Sequence, residues 1–110
     1  MPYDDLPGRS ALEIAALVRA GDVSAVEVAR AHLALVERDN PALNALVRVE
    51  PEVVLAEAAR VDVRLPLAGV PFVVKDNIAV AEQVTAAGST AHTGRPEPTD
   101  APVVARLRAA

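Results

Sequence analysis

Leu67–Asn77 reads LAGVPFVVKDN. An apolar run of strand length, with valine repeated, ends directly on a lysine, an aspartate and an asparagine. β-Branched residues suit strands, and a run without polar alternation reads as a strand covered on both faces. Lys75 would then stand at the end of a buried strand. Burial disfavours the ammonium and favours the neutral amine, a base able to take a proton from a serine hydroxyl. The plain alternative is a lysine paired with Asp76 or a more distant acid, or one that reaches water along its aliphatic stem. The stretch by itself leaves both readings open.

Bulk composition narrows the classes of function. The 110 residues suit one ordinary domain or a piece of a larger one. Apolar residues at 52% supply a core, and aromatics at 2% make that core aliphatic, without a platform for stacking bases. A net charge of −4 argues against a nucleic-acid partner. The absence of cysteine removes disulfides, thiolate zinc sites and a cysteine nucleophile together. His32 and His92 are the only histidines and show no metal-binding spacing, so neither a metal nor a cofactor is expected. No apolar run approaches the roughly 18 residues of a membrane span. The opening MPYDDLPGRS carries acids where a signal peptide would carry basic residues, which gives a cytoplasmic reading.

The first half is helical and well punctuated. Ser10–Glu13 (SALE) and Ser24–Glu27 (SAVE) are capping boxes, each opening an apolar-periodic segment. Ile14, Leu17 and Val18 line the first helix, and Gly21 is placed for a left-handed C-terminal residue. Val26, Ala29, Leu33 and Val36 stripe the second, which Asn40–Pro41 is expected to stop. Asn44–Val49 is a short strand or a trailing end. Pro51 opens a third helix, expected through about Val61. Residues 76–99 hold no sustained period, as in a segment bordering a site. A last helix starts near Pro102, with Thr99 or Asp100 as cap and Val103, Val104 and Leu107 as its apolar side. It meets no stop signal before Ala110.

Three segments in order, PLAGVPFVVKDNI, TAAGS and DAPVVARLRAA, resemble the amidase signature family. The upstream GDVSAVEVARAHLALVERDNPALNALV is similar to that family's N-terminal helices, and the resemblance covers the chain from about Ser10. It implies an α/β fold, with N-terminal helices followed by the first strands of an incomplete mixed sheet. Residues 1–9 would be a flexible N-terminus and residues 10–110 the N-terminal part of a truncated amidase domain. It implies hydrolysis of, or transfer from, carboxamide C–N bonds by a nucleophilic serine, a second serine in a cis peptide bond, and a lysine base. Lys75 matches that lysine. Asp76 and Asn77 match the two residues after it and would shape the turn. The implied partner is a small-molecule amide, with no membrane.

The chain departs from the family in one serious respect. Both family serines lie in a segment downstream of the DA helix, whereas this chain offers Ser10, Ser24 and Ser89. The first two are helix caps, and the family segment matching Ser89 does not supply the nucleophile. Ala86 stands where the family commonly has a second threonine. An N-terminal fragment that is inactive alone is therefore expected, with apolar surface left open to self-association. The alternatives are an amidotransferase-subunit fragment and a non-catalytic helical module that docks the capped hairpin on a partner. His92 reads as a loop residue, Asp4–Asp5 as a solvated pair, Arg106 and Arg108 as exposed. Gly88 and Gly94 do not make a phosphate-binding pattern.

Overall fold

The computed structural model describes residues 5–91 and 94–110. The chain divides into two units, one ending at Pro71 and the other running from Phe72 to Ala110.

In the first unit, helix α1 spans Ala11–Ala20 and α2 spans Ala25–Leu43. Both capping boxes form. Ser10 Oγ accepts the Glu13 N–H at 3.2 Å while the Glu13 carboxylate accepts the Ser10 N–H at 2.8 Å. The same exchange joins Ser24 and Glu27 at 3.1 and 2.8 Å. Donors that a helix start leaves unpaired are satisfied this way. Gly21, at φ 78°, closes α1: its N–H donates to the Val18 carbonyl and the Asp22 N–H to the Leu17 carbonyl. That pair of bonds is the Schellman closure, which wants a residue without a side chain at the left-handed position.

Helix α2 runs past the expected stop, with Pro41 inside its last turn. Proline cannot donate to the carbonyl four residues back, and the helix continues only two residues beyond it. Asn44, at φ 50°, terminates the helix. Asn40 binds the departing chain instead: its side-chain oxygen accepts the Ala45 and Leu46 N–H groups, and its amide donates to the Leu46 carbonyl. Helix α3, Pro51–Ala58, ends three residues before the expected Val61 and packs against α2.

The apolar faces of α1 and α2 are covered within the same unit. Leu6, Ile14, Val18, Val23, Val28 and Ala68 form the buried cluster, with Leu17, Ala31, Val61, Leu65 and Val70 packed against it. Each buried aliphatic side chain of valine size or larger contributes about 1.5–3 kcal/mol. On α2 the centre of this contact is Val28, at 0% exposure, while Val26 is half-buried. Leu6, in a 3-10 turn over Leu6–Gly8 that precedes α1, is 2% exposed and belongs to the core.

The expected strand at Leu67–Val74 is not present. Three tight turns precede and enter it, closed by Leu65 N–H to Asp62 O, Ala68 N–H to Leu65 O and Val70 N–H to Leu67 O. Gly69 sits in the last of these at φ 76°. A Cβ there would lie 2.9 Å from Val18 Cγ2 and 3.2 Å from Ala25 Cβ. Glycine is thus required twice, by the turn and by the approach to α1 and α2. Arg19 further holds the loop by donating to the Pro66 carbonyl at 3.2 Å. Pro71 has no N–H to give a ladder, and residues 71–75 run on without strand pairing. Phe72 and Val73 are 43% and 73% exposed rather than buried.

The second unit holds helix α4, Pro102–Ala109, with Val80 and Val104 buried. An isolated parallel bridge joins Ala81 and Glu97. Among the described residues no strand forms, so the chain is mostly helical and the first strands of a sheet are not found.

Gly69→Ala should destabilise the first unit by about 2–4 kcal/mol, combining the left-handed penalty with overpacking against Val18; a denaturant midpoint unchanged from the parent would contradict the packing. The capping boxes also set an acid limit. Backbone and side-chain hydrogen bonds from Ser10 and Ser24 hold the Glu13 and Glu27 carboxyls below their ordinary 4.5. A carboxyl lowered on folding stabilises fully above its unfolded value and loses that contribution as pH falls through its folded value. Thermal midpoints should be flat above about pH 6 and fall below 4.5. In Glu13→Gln/Glu27→Gln, whose amides keep the hydrogen bonds, that fall should be shallower; an identical slope would contradict the assignment.

Candidate functional site

Lys75 opens a β-turn, closed by the Ile78 N–H donating to the Lys75 carbonyl at 3.0 Å. The residue after it pins this turn to a second one. The Asp76 backbone carbonyl accepts the Ala87 N–H at 2.8 Å, and its carboxylate accepts the Ala86 N–H at 3.4 Å. Two adjacent donors of the TAAGS segment are thereby tied to the residue beside Lys75. The TAAGS segment itself turns at Ala86–Ser89, closed by the Ser89 N–H to Ala86 carbonyl bond, with Ala87 at φ 50° and Gly88 at φ 71°. Two successive positive φ values define a type I′ geometry. Ala87 bears a left-handed penalty of about 1–2 kcal/mol, which its bond to Asp76 offsets.

A hollow of about 40 Å³ lies beside the Lys75 turn, lined by Lys75, Asp76, Ile78, Val80, Gln83 and Thr85 among others. Its size suits a water molecule or two and not an acyl group, since ligand pockets occupy about 300 Å³ or more. Among the described residues no serine lines it. Lys75 is exposed, and its expected burial is not supplied by residues 72–110, because the strand that would have carried it under cover does not form.

Ser10 and Ser24 are helix caps. Ser89 is exposed and its hydroxyl accepts the Ala91 N–H at 3.1 Å, a local turn contact. His92 and Asp4 lie outside the described residues. Asp5 is exposed and pairs with Arg9 at 3.0 Å. Among the described residues no group of three metal-ligating side chains forms, and no helix is long and apolar enough to cross a membrane.

Asp100 is not a helix cap. The N-cap of α4 is Ala101, without a side-chain bond. The Asp100 carboxylate instead accepts the Ala81 N–H at 2.8 Å through Oδ1 and pairs with Arg108 Nε at 3.0 Å through Oδ2. Arg108 is exposed, as expected, and also pairs with this carboxylate. No local signal in the sequence marks a bond that spans 19 positions. Gln83 and Thr85 were likewise missed, because residues 76–99 offer no periodicity from which to place them.

A family model described as Amidase matches residues 27–110. Curated relatives, each named as the A subunit of glutamyl-tRNA(Gln) amidotransferase, align over nearly the whole chain. The one from Acidothermus cellulolyticus is 41% identical over 111 residues, covering 94% of this chain and 22% of the relative. That from Thermus thermophilus is 46% identical over 97 residues, covering 88% and 20%. That from Salinispora arenicola is 41% identical over 113 residues, covering 96% and 23%. The chain spans about a fifth of the length of the curated relatives it matches.

The Asp76 contacts predict a selective effect. Asp76→Ala should speed amide exchange at Ala86, while Ala87, bonded to a main-chain carbonyl, keeps most of its protection. The stability loss should be about 0.5–1.5 kcal/mol, one long hydrogen bond. Equal loss of protection at both amides, or at neither, would contradict the pinning.

Proposed function

The chain belongs to the amidase family, and from that premise we propose that Lys75 is the general base of an acyl-transfer site that cleaves carboxamide C–N bonds. The observation that carries this reading is the pinned turn: a lysine at the head of a closed β-turn, fixed through Asp76 to the TAAGS segment, beside a small hollow. A base needs a held position more than it needs bulk, because proton transfer occurs only within hydrogen-bond reach.

In this reading the nucleophilic serine attacks the amide carbonyl, the serine in the cis peptide bond takes its proton, and Lys75 accepts that proton in turn. Both serines come from polypeptide outside these 110 residues, which also covers Lys75 and excludes water from it. Residues 70–74 pair there as the first strand of the mixed sheet. Phe72 and Val73, exposed in this chain, support further cover over the faces of that strand. The chain by itself is then inactive on amides and prone to self-associate through the same apolar residues. The substrate is a small carboxamide met in the cytoplasm, with neither nucleic acid nor membrane as a partner of residues 1–110.

Between a free-standing amidase and a piece of an amidotransferase, the names of the relatives support the second. A helical interaction module fits less well. The hairpin face it would offer is already covered by Leu65, Ala68 and Val70 of the same chain.

A chimera tests the proposal. Residues 1–110 replace the matching fifth of the Acidothermus relative, and amide hydrolysis is assayed beside the isolated chain. The isolated chain should release no ammonia from a carboxamide. The chimera should do so, and Lys75→Ala within it should lower kcat by about 10²–10⁴, the worth of a general base. A Lys75→Ala chimera as active as its parent, or hydrolysis by the isolated chain, would contradict the proposal.

A further inference from the structure

We propose that Asp100 is a positioning residue for Lys75, acting through the segment that walls the hollow. The inference rests on the reading of Lys75 given above and extends it to a residue at the entry to α4.

Residues 78–81 are fixed from both sides. Ile78 and Val80 line the hollow beside Lys75. Upstream, this segment is held by the Lys75–Ile78 turn. Downstream, it is held by two bonds to the chain just before α4. The Ala101 N–H donates to the Ala79 carbonyl at 2.9 Å, and the Ala81 N–H donates to Asp100 Oδ1 at 2.8 Å. The neighbouring Glu82 N–H reaches the Glu97 carbonyl at 2.8 Å, so residues 79–82 are laced to 97–101. All of these but one are main-chain to main-chain. Asp100 supplies the one contact made by a side chain, and hence the one a point substitution can remove.

The carboxylate is placed to do this. It is 17% exposed, and its second oxygen is held by Arg108 Nε from two turns along α4. A charge-assisted bond on each oxygen fixes the carboxylate plane, which a single contact would leave free to rotate. Arg108 orients Asp100, Asp100 fixes Ala81, and the wall carrying Ile78 and Val80 is set relative to Lys75. Hydrogen bonds to a charged acceptor are the stronger kind, so this lacing should hold while shorter turns fray.

The test uses the 110-residue chain and NMR, and it needs no activity. Asp100→Ala should speed amide exchange at Ala81 by about tenfold. It should also shift the Ile78 and Val80 resonances and the Lys75 εCH₂ signal, leaving the α1 and α2 resonances in place. Asp100→Asn, whose side-chain oxygen can still accept from Ala81, should restore the Ala81 protection and the Lys75 signal. A general loss of packing would not be rescued so selectively. Arg108→Gln should produce a smaller change of the same pattern. If Asp100→Ala unfolds residues 72–110, Asp100→Asn decides: parent-like Ala81 and Lys75 signals uphold the proposal, and their loss overturns it. Parent-like signals in Asp100→Ala overturn it as well. The chimera assay on Lys75→Ala fails or succeeds independently, so a wrong base and a wrong positioning residue are told apart.

Discussion

The approach of Gly69 to Val18 and Ala25 is the contact on which the rest of the first unit depends. It requires a left-handed residue without a side chain at the point where the loop after α3 meets the helical hairpin. With glycine there, Ala68 drops into the core and Leu65 and Val70 close over the apolar faces of α1 and α2. The hairpin would otherwise present those faces to water. After that turn the chain continues through Pro71, and among the described residues no strand pairs with 71–75.

That constraint explains how much of the molecule was legible. The two helices with capping boxes read directly, because a cap is a local device whose donor and acceptor are three residues apart. Gly21 read for the same reason. Leu67–Val74 did not. Apolar content and repeated valine are shared by a buried strand and by a loop whose side chains dock on helices, and only a neighbour's backbone decides between them. None is present among the described residues, so Leu67–Val70 turns. Pro41 does not stop the helix at once: α2 carries on for two residues beyond it, and Asn44 ends it. Leu6 was overlooked because most of its partners are distant in sequence.

The candidate site divides along the same line. The turn-shaping part of Asp76 was readable from the KDN segment. Burial of Lys75 was an extrapolation from the strand and failed with it. Asp100 was placed at a helix start, correct as to location, but its carboxylate faces Ala81 and Arg108 instead of capping. Both errors have one physical root. Side chains bordering a site are held by contacts across the chain, which composition and period do not record.

The chain presents Lys75 at the head of a laced pair of turns, and the proposed role rests on its amine. The most direct check is chemical rescue in the chimera carrying Lys75→Ala. Small primary amines added to the assay should restore hydrolysis, and the restored rate should follow the concentration of free base as pH is varied. A rate indifferent to added amine, or one that follows total amine irrespective of pH, would mean that Lys75 is not the group that accepts the proton.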